Sequence, residues 1–158
     1  MKKVMPIMKN EYPDKIAQVF SIFHDGTICG CTGDLTKLTL KVECLYLAEL
    51  INPDFDSLYV VLSDISGLYF TAWSADEKSY ERISVVQEIF EPELEIISTE
   101  IVEDIVIIHC RQDNAKLGKG GGELHLSCGS IKVLDQAGEE ITIDYLSRLC
   151  KQYWDNLR

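Results

Sequence analysis

The sequence predicts an α+β fold: a mainly antiparallel, strongly curved sheet or flattened barrel of about eight strands, with a short N-terminal helix and a C-terminal helix. Three observations carry this. Apolar residues alternate with polar ones through Leu38-Thr39-Leu40-Lys41-Val42-Glu43-Cys44, the period of a strand with one face buried. Further β-branched and aromatic runs recur with short, turn-like connections, which suits antiparallel neighbours. At each end of the chain the apolar period becomes helical, in Ile16, Val19, Phe20 and Phe23, and again in Ile143, Leu146, Leu149, Cys150, Tyr153, Trp154 and Leu157.

The first helix is expected over Tyr12 to Phe23. Pro13 fits its first turn, where a missing N–H costs nothing, and Asp14 suits its positive end. Asp25-Gly26 stops it, with glycine in the left-handed conformation. Thr27 to Thr32 and Leu35 to Cys44 are strands about a Gly33-Asp34 turn. Tyr46 to Leu50 makes one helical turn, closed by Asn52-Pro53-Asp54. Ser57 to Ser63 and Leu68 to Trp73 form a hairpin about Asp64-Ile65-Ser66-Gly67. Asp76 to Glu91 admits both strand and short helix. Leu94 to Ser98, Ile101 to Cys110, Glu123 to Cys128 and Ile131 to Leu134 are strands, with Gly129-Ser130 between the last two. Thr142 caps the final helix, which runs to Leu157.

A chain of 158 residues is expected to form a single domain over 1–158, with enough buried surface for a core that needs no metal or disulfide. Its net charge of −11 argues against a nucleic-acid partner and against an anionic membrane surface, because both require a basic footprint. No stretch reaches the length of a membrane span, and the apolar run near Met1 is too short for a signal peptide. The cytoplasm is the expected compartment. There Cys29, Cys31, Cys44, Cys110, Cys128 and Cys150 are expected as reduced thiols in core positions. A zinc site from Cys29, Cys31 and His24 with His109 or Cys110 lacks the usual ligand spacing, so no metal or other cofactor is assigned. Along a strand, Cys29 and Cys31 would share one face.

Candidate chemistry is sparse. His24-Asp25 suggests an acid–base dyad, but adjacent residues seldom face each other and no nucleophile accompanies them. Asp25 is expected instead to cap local backbone N–H groups in a turn. Gly118-Lys119-Gly120-Gly121-Gly122 lacks the Ser or Thr and the helix of a phosphate loop, and is expected to be a flexible connection. No catalytic residue is assigned.

The charge distribution is more informative. From Ile83 to Cys110 the chain has no Lys or Arg, yet it carries Glu88, Glu91, Glu93, Glu95, Glu100, Glu103 and Asp104. On adjacent strands these would gather on one solvent face, either a solvated surface or a docking site for a basic protein.

Phe23-His24-Asp25-Gly26 ahead of a strand, with Leu68-Tyr69-Phe70 in a later strand, resembles a group of small bacterial proteins with a Phe-His-Asp-Ala or Phe-His-Asp-Gly motif. Some of these are classed as immunity proteins of polymorphic toxin systems. The resemblance covers the first half of the chain. It implies a non-enzymatic, cytoplasmic, strand-rich protein that binds and neutralises a partner. The alternative is a small-molecule binder or enzyme with a pocket inside the curved sheet near His24, His109 and His125.

Overall fold

The computed structural model describes residues 12–73, 82–112 and 120–157. In chain order the elements are α1 (Tyr12–Ile22), β1 (Thr27–Gly33), β2 (Lys37–Glu43), α2 (Leu45–Ile51), β3 (Ser57–Ala72), β4 (Arg82–Ile83), α3 (Val86–Ile89), β5 (Leu94–Val102), β6 (Ile105–Arg111), β7 (Gly122–Leu134), β8 (Glu140–Ile141) and α4 (Ile143–Asn156). The fold is α+β, and among the described residues every strand pairing is antiparallel. The sheet order is β4-β3-β2-β1-β5-β6-β7-β8, and β3 also pairs with β7. That last pairing closes β1, β2, β3, β7, β6 and β5 into a ring, with β4 and β8 as short outer additions.

Alternation sorts the side chains. Leu38, Leu40 and Val42 of β2 are buried, as are Leu58, Val60, Leu62 and Phe70 of β3 and Val106, Ile108 and Cys110 of β6. They join one core with Ile16, Val19, Phe20 and Phe23, because α1 packs against β5, β6 and β7. Each such burial stabilises by about 1.5–3 kcal/mol. Thr142 caps α4 as expected, its Oγ1 accepting from the N–H of Tyr145 at 3.1 Å. The stripe of α4 is buried only in part. Leu146 and Leu149 are covered, whereas Trp154 and Leu157 are exposed.

Three expected breaks move. The hairpin about Asp64-Ile65-Ser66-Gly67 does not form, and β3 runs unbroken through it. Its partner β7 likewise runs through Gly129-Ser130. The two strands pair from Tyr59↔Leu134 to Ala72↔Gly122, so the turn-forming residues are absorbed into a register shift between Ile65 and Gly67. Gly129 gives the close approach there, since a Cβ at that position would stand 3.1 Å from Asp64 Cβ. The third break falls at Glu103-Asp104 rather than near Thr99-Glu100. Both of those acidic residues take positive φ, 50° and 66°, and form the two-residue turn between β5 and β6. The ambiguous stretch before Glu91 contains both β4 and α3, and its residues 76–81 lie outside those described. Most of the connection from Gln112 to Gly122 also lies outside them. Among the described residues no helix is long and apolar enough to cross a membrane.

Candidate functional site

The Phe23-His24-Asp25-Gly26 segment is the joint between α1 and β1. Phe23 is buried in the core. His24 donates from Nδ1 to the Ser21 carbonyl at 2.9 Å, since a carbonyl can only accept. The Asp25 N–H donates to the Ile96 carbonyl, and the Ile96 N–H to the Gly26 carbonyl, both at 2.8 Å. The joint is thereby tied to β5. The left-handed residue is Asp25 (φ 68°), not the glycine expected. Gly26 is needed for space: a Cβ there would lie 2.9 Å from the Phe23 carbonyl oxygen. The expected capping role of Asp25 is also corrected. Among the described residues its carboxylate accepts no backbone N–H; it is 70% exposed, with His24 Nε2 at 3.9 Å.

Asp25 lines an open cleft of about 570 Å³. Glu43 from the end of β2, Glu49 and Leu50 from α2, Thr27 from β1 and Tyr153 from α4 also line it. Tyr46 stacks on Tyr153 (centroids 4.4 Å apart) and meets Trp154 edge-on at 6.0 Å, while Trp154 stacks on His24 at 5.4 Å. The aromatic cluster thus ties α2 and the motif to α4. Tyr46 donates to the Ile22 carbonyl at 3.2 Å, and burial pushes its phenol up, so it remains a neutral donor. Burial pushes the Cys44 thiol, also in the lining, up to about 11, which leaves it unreactive at neutral pH. Among the described residues no Lys or Arg lines the cleft, and Leu45 and Leu50 are 54% and 42% exposed at its edge.

The acidic run does not form one face. Glu95 pairs across the sheet with Thr27, and Thr27 with Glu43, so these outward side chains form a row beside the cleft. Glu93 lies just before β5, at the same end. Glu88 is on α3 and Glu91 just after it. Glu100, Glu103 and Asp104 are at the other end of β5, about 26 Å from Glu95 to Glu103 at 3.3 Å per residue. A register shift between Ile96 and Ser98 further breaks the alternation. Two of the carboxylates are already engaged: Arg111 Nη1 is 3.4 Å from Glu95 Oε1, and His109 Nε2 is 3.0 Å from Glu100 Oε1.

His109 and His125 come together on the outer wall, not inside the ring, because the interior is filled by Ile108, Cys110, Leu124 and Leu126. Glu123 bridges them, 3.8 Å from His109 Nδ1 and 3.5 Å from His125 Nε2. Tyr69 stacks on His125 at 4.3 Å, and the Arg82 guanidinium lies 3.9 Å over Tyr69. His24 packs elsewhere, on Trp154. Cys29 and Cys31 do not share a face, since Cys29 is the extra residue of a bulge between Ile28 and Gly30 and bonds to the Lys41 carbonyl. Cys31 pairs with the buried Leu40. All six cysteines are free thiols: Cys44 and Cys110 are buried, and the other four are only partly covered. Among the described residues no group of three or more His, Cys, Asp or Glu is placed to hold a metal ion.

Sequence reasoning missed Glu43, Glu49, Tyr46 and Tyr153. Glu43 was legible only as an outward position in an alternating strand. What joins it to Glu49 and Asp25 is the return of the chain through α2, which no local pattern announces. Comparison with protein-family models, with curated proteins and with solved structures finds no match.

Proposed function

We propose that this chain is a non-enzymatic protein-binding module of the immunity-like kind that the Phe-His-Asp-Gly resemblance implies, acting in the cytoplasm on a basic partner. The partner's basic segment enters the cleft at the motif. One observation carries this reading: Asp25, Glu43 and Glu49 line an open cleft to which, among the described residues, no Lys or Arg contributes, and uncovered leucines stand at its edge. Unpaired carboxylates set the sign and speed of encounter, and exposed apolar side chains supply the buried anchor. Tyr46 and Tyr153, stacked on each other, border the same cleft and add aromatic surface to it.

The test is affinity capture from the native lysate at low and high salt. Wild type is compared with the triple variant Asp25→Asn/Glu43→Gln/Glu49→Gln and with Glu100→Gln/Glu103→Gln/Asp104→Asn. A specific partner is retained at both salt concentrations, because buried anchors survive the screening that acts on exposed charges beyond about 10 Å. It is lost from the cleft variant and kept by the distal one. Equal capture by all three proteins removes the cleft from the argument.

A further inference from the structure

β1 leaves part of the ring open. Its pairing with β5 covers Thr27 and Ile28, whereas β2 lines its other side as far as Gly33. β1 and β5 pair only at Thr27 and Ile28, and the chain before β5 folds as α3 instead of continuing the strand. Among the described residues no strand pairs with the outer edge of β1 from Cys29 to Gly33. The Asp34 N–H donates to the Lys37 carbonyl at 3.1 Å. Alternation back along the ladder then turns the N–H and C=O of Cys31 away from β2. Beside this edge is a hollow of 260 Å³, lined by Gly30, Cys31, Thr32, Thr39, Lys41 and Tyr59. Gly30 keeps it open, and a Cβ there would meet only Lys41 Cβ, at an ordinary 3.9 Å. An open edge with a side-chain hollow beside it is how sheets recognise extended peptides. Main-chain bonds give affinity, and alternate side chains give specificity.

We propose that an extended segment of a basic partner protein adds to the ring as a strand along Cys29–Gly33, with one apolar side chain in the hollow beside Gly30. Lys41 lines the hollow on the β2 side, so the charge of the occupant follows from what flanks the open side of the edge. Glu91 and Glu93 are exposed on the chain that diverges from it, and no Lys or Arg occurs from Ile83 to Cys110. A second copy of this chain would set those carboxylates against their own counterparts. The inference rests on the protein-binding reading for the class of partner; the edge itself is separate from the cleft.

The probe is a capped hexapeptide alternating Lys and Val, tested against its backbone N-methylated form and a Glu-Val counterpart. Amide exchange in the full chain is followed by NMR. The Lys-Val peptide slows exchange at Cys31 by about tenfold or more, while Thr32, whose N–H already faces β2, is unchanged. The N-methylated and Glu-Val peptides do not, and Gly30→Val removes the protection without lowering the melting temperature. Unchanged Cys31 exchange, or equal protection by the N-methylated peptide, overturns the proposal. Peptide-induced shifts confined to Asp25, Thr27 and Glu49 overturn the edge and leave the cleft reading standing. Protection of Cys31 by self-association without peptide replaces the basic segment with a second copy.

Discussion

The cleft and the outer wall of β6 and β7 each gather carboxylates beside aromatic rings, and they differ in how many imidazole contacts those carboxylates make. On the wall, Glu100 and Glu123 contact His109, Glu123 also contacts His125, and Arg82 covers Tyr69. In the cleft, among the described residues, Glu43 and Glu49 take part in no ion pair, and Asp25 has only His24 at 3.9 Å. The contrast extends only in part to apolar surface. Rings pack on one another in both regions, and each leaves a tryptophan partly open, Trp73 by the wall and Trp154 by the cleft; exposed leucines, Leu45 and Leu50, line the cleft. A carboxylate that accepts from a neighbouring imidazole N–H stabilises its own chain; one without such a contact, beside exposed apolar surface, contributes nothing until something arrives.

The sharpest way to break that distinction is to neutralise each region in turn. Asp25→Asn/Glu43→Gln/Glu49→Gln should weaken a captured basic partner on the order of 100-fold, mostly through faster dissociation, with the melting temperature unchanged or raised. Asn at position 25 keeps a residue type that tolerates the left-handed backbone. A fall in stability with unchanged binding would reverse the roles of the two regions.

Trp154 separates anchoring from binding at the cleft itself. Its ring stacks on His24 and meets Tyr46 and Tyr153 edge-on. Trp154→Ala should cost about 1–2 kcal/mol by denaturant unfolding, through lost stacking and area. Trp154→Phe should recover most of that. A stability equal to wild type for the Ala variant would mean that the ring serves the partner alone.

The wall gives a smaller effect. Glu123→Gln removes the bridge between two imidazoles and should cost about 0.5–1 kcal/mol, while Glu43→Gln should cost none. Equal costs at the two positions would remove the distinction between carboxylates with and without imidazole contacts.

How much of this was legible follows the range of the forces. The α+β class, the burial of Leu38, Leu40 and Val42, and the Thr142 cap come from local periodicity and local hydrogen bonding, and all are present. The internal breaks in β3 and β7 were not legible. Asp64 to Gly67 carries real turn chemistry, and only the length of the β3–β7 ladder overrides it. The acidic run was legible as charge but not as a surface, because the β5 bulge and the Glu103-Asp104 turn spread it along and around the strand. Asp25 was noticed for its neighbour His24. Its relevant partners, Glu43 and Glu49, become neighbours only through β2 and α2.

The last test reads the wall through pH. Burial pushes His125 below its ordinary value of 6.5; Arg82 acts in the same direction, and Glu123 opposes both. The folded chain therefore holds a neutral imidazole over a range where the unfolded chain has already taken up a proton. Stability depends on pH through the difference in bound protons, and here the unfolded state binds more. The contribution of His125 thus falls as pH drops below about 6.5 and levels off below the lowered folded value. His125→Phe keeps a ring against Tyr69 and removes the titration, so its stability should depend less steeply on pH through this window. Glu123→Gln removes the opposing charge, lowers the folded value further and should make the dependence steeper. Denaturant unfolding from pH 7.5 down to about 5 gives both slopes. Identical slopes for wild type and His125→Phe would show that the imidazole is hydrated in the folded chain, and that the wall is no better packed than the cleft.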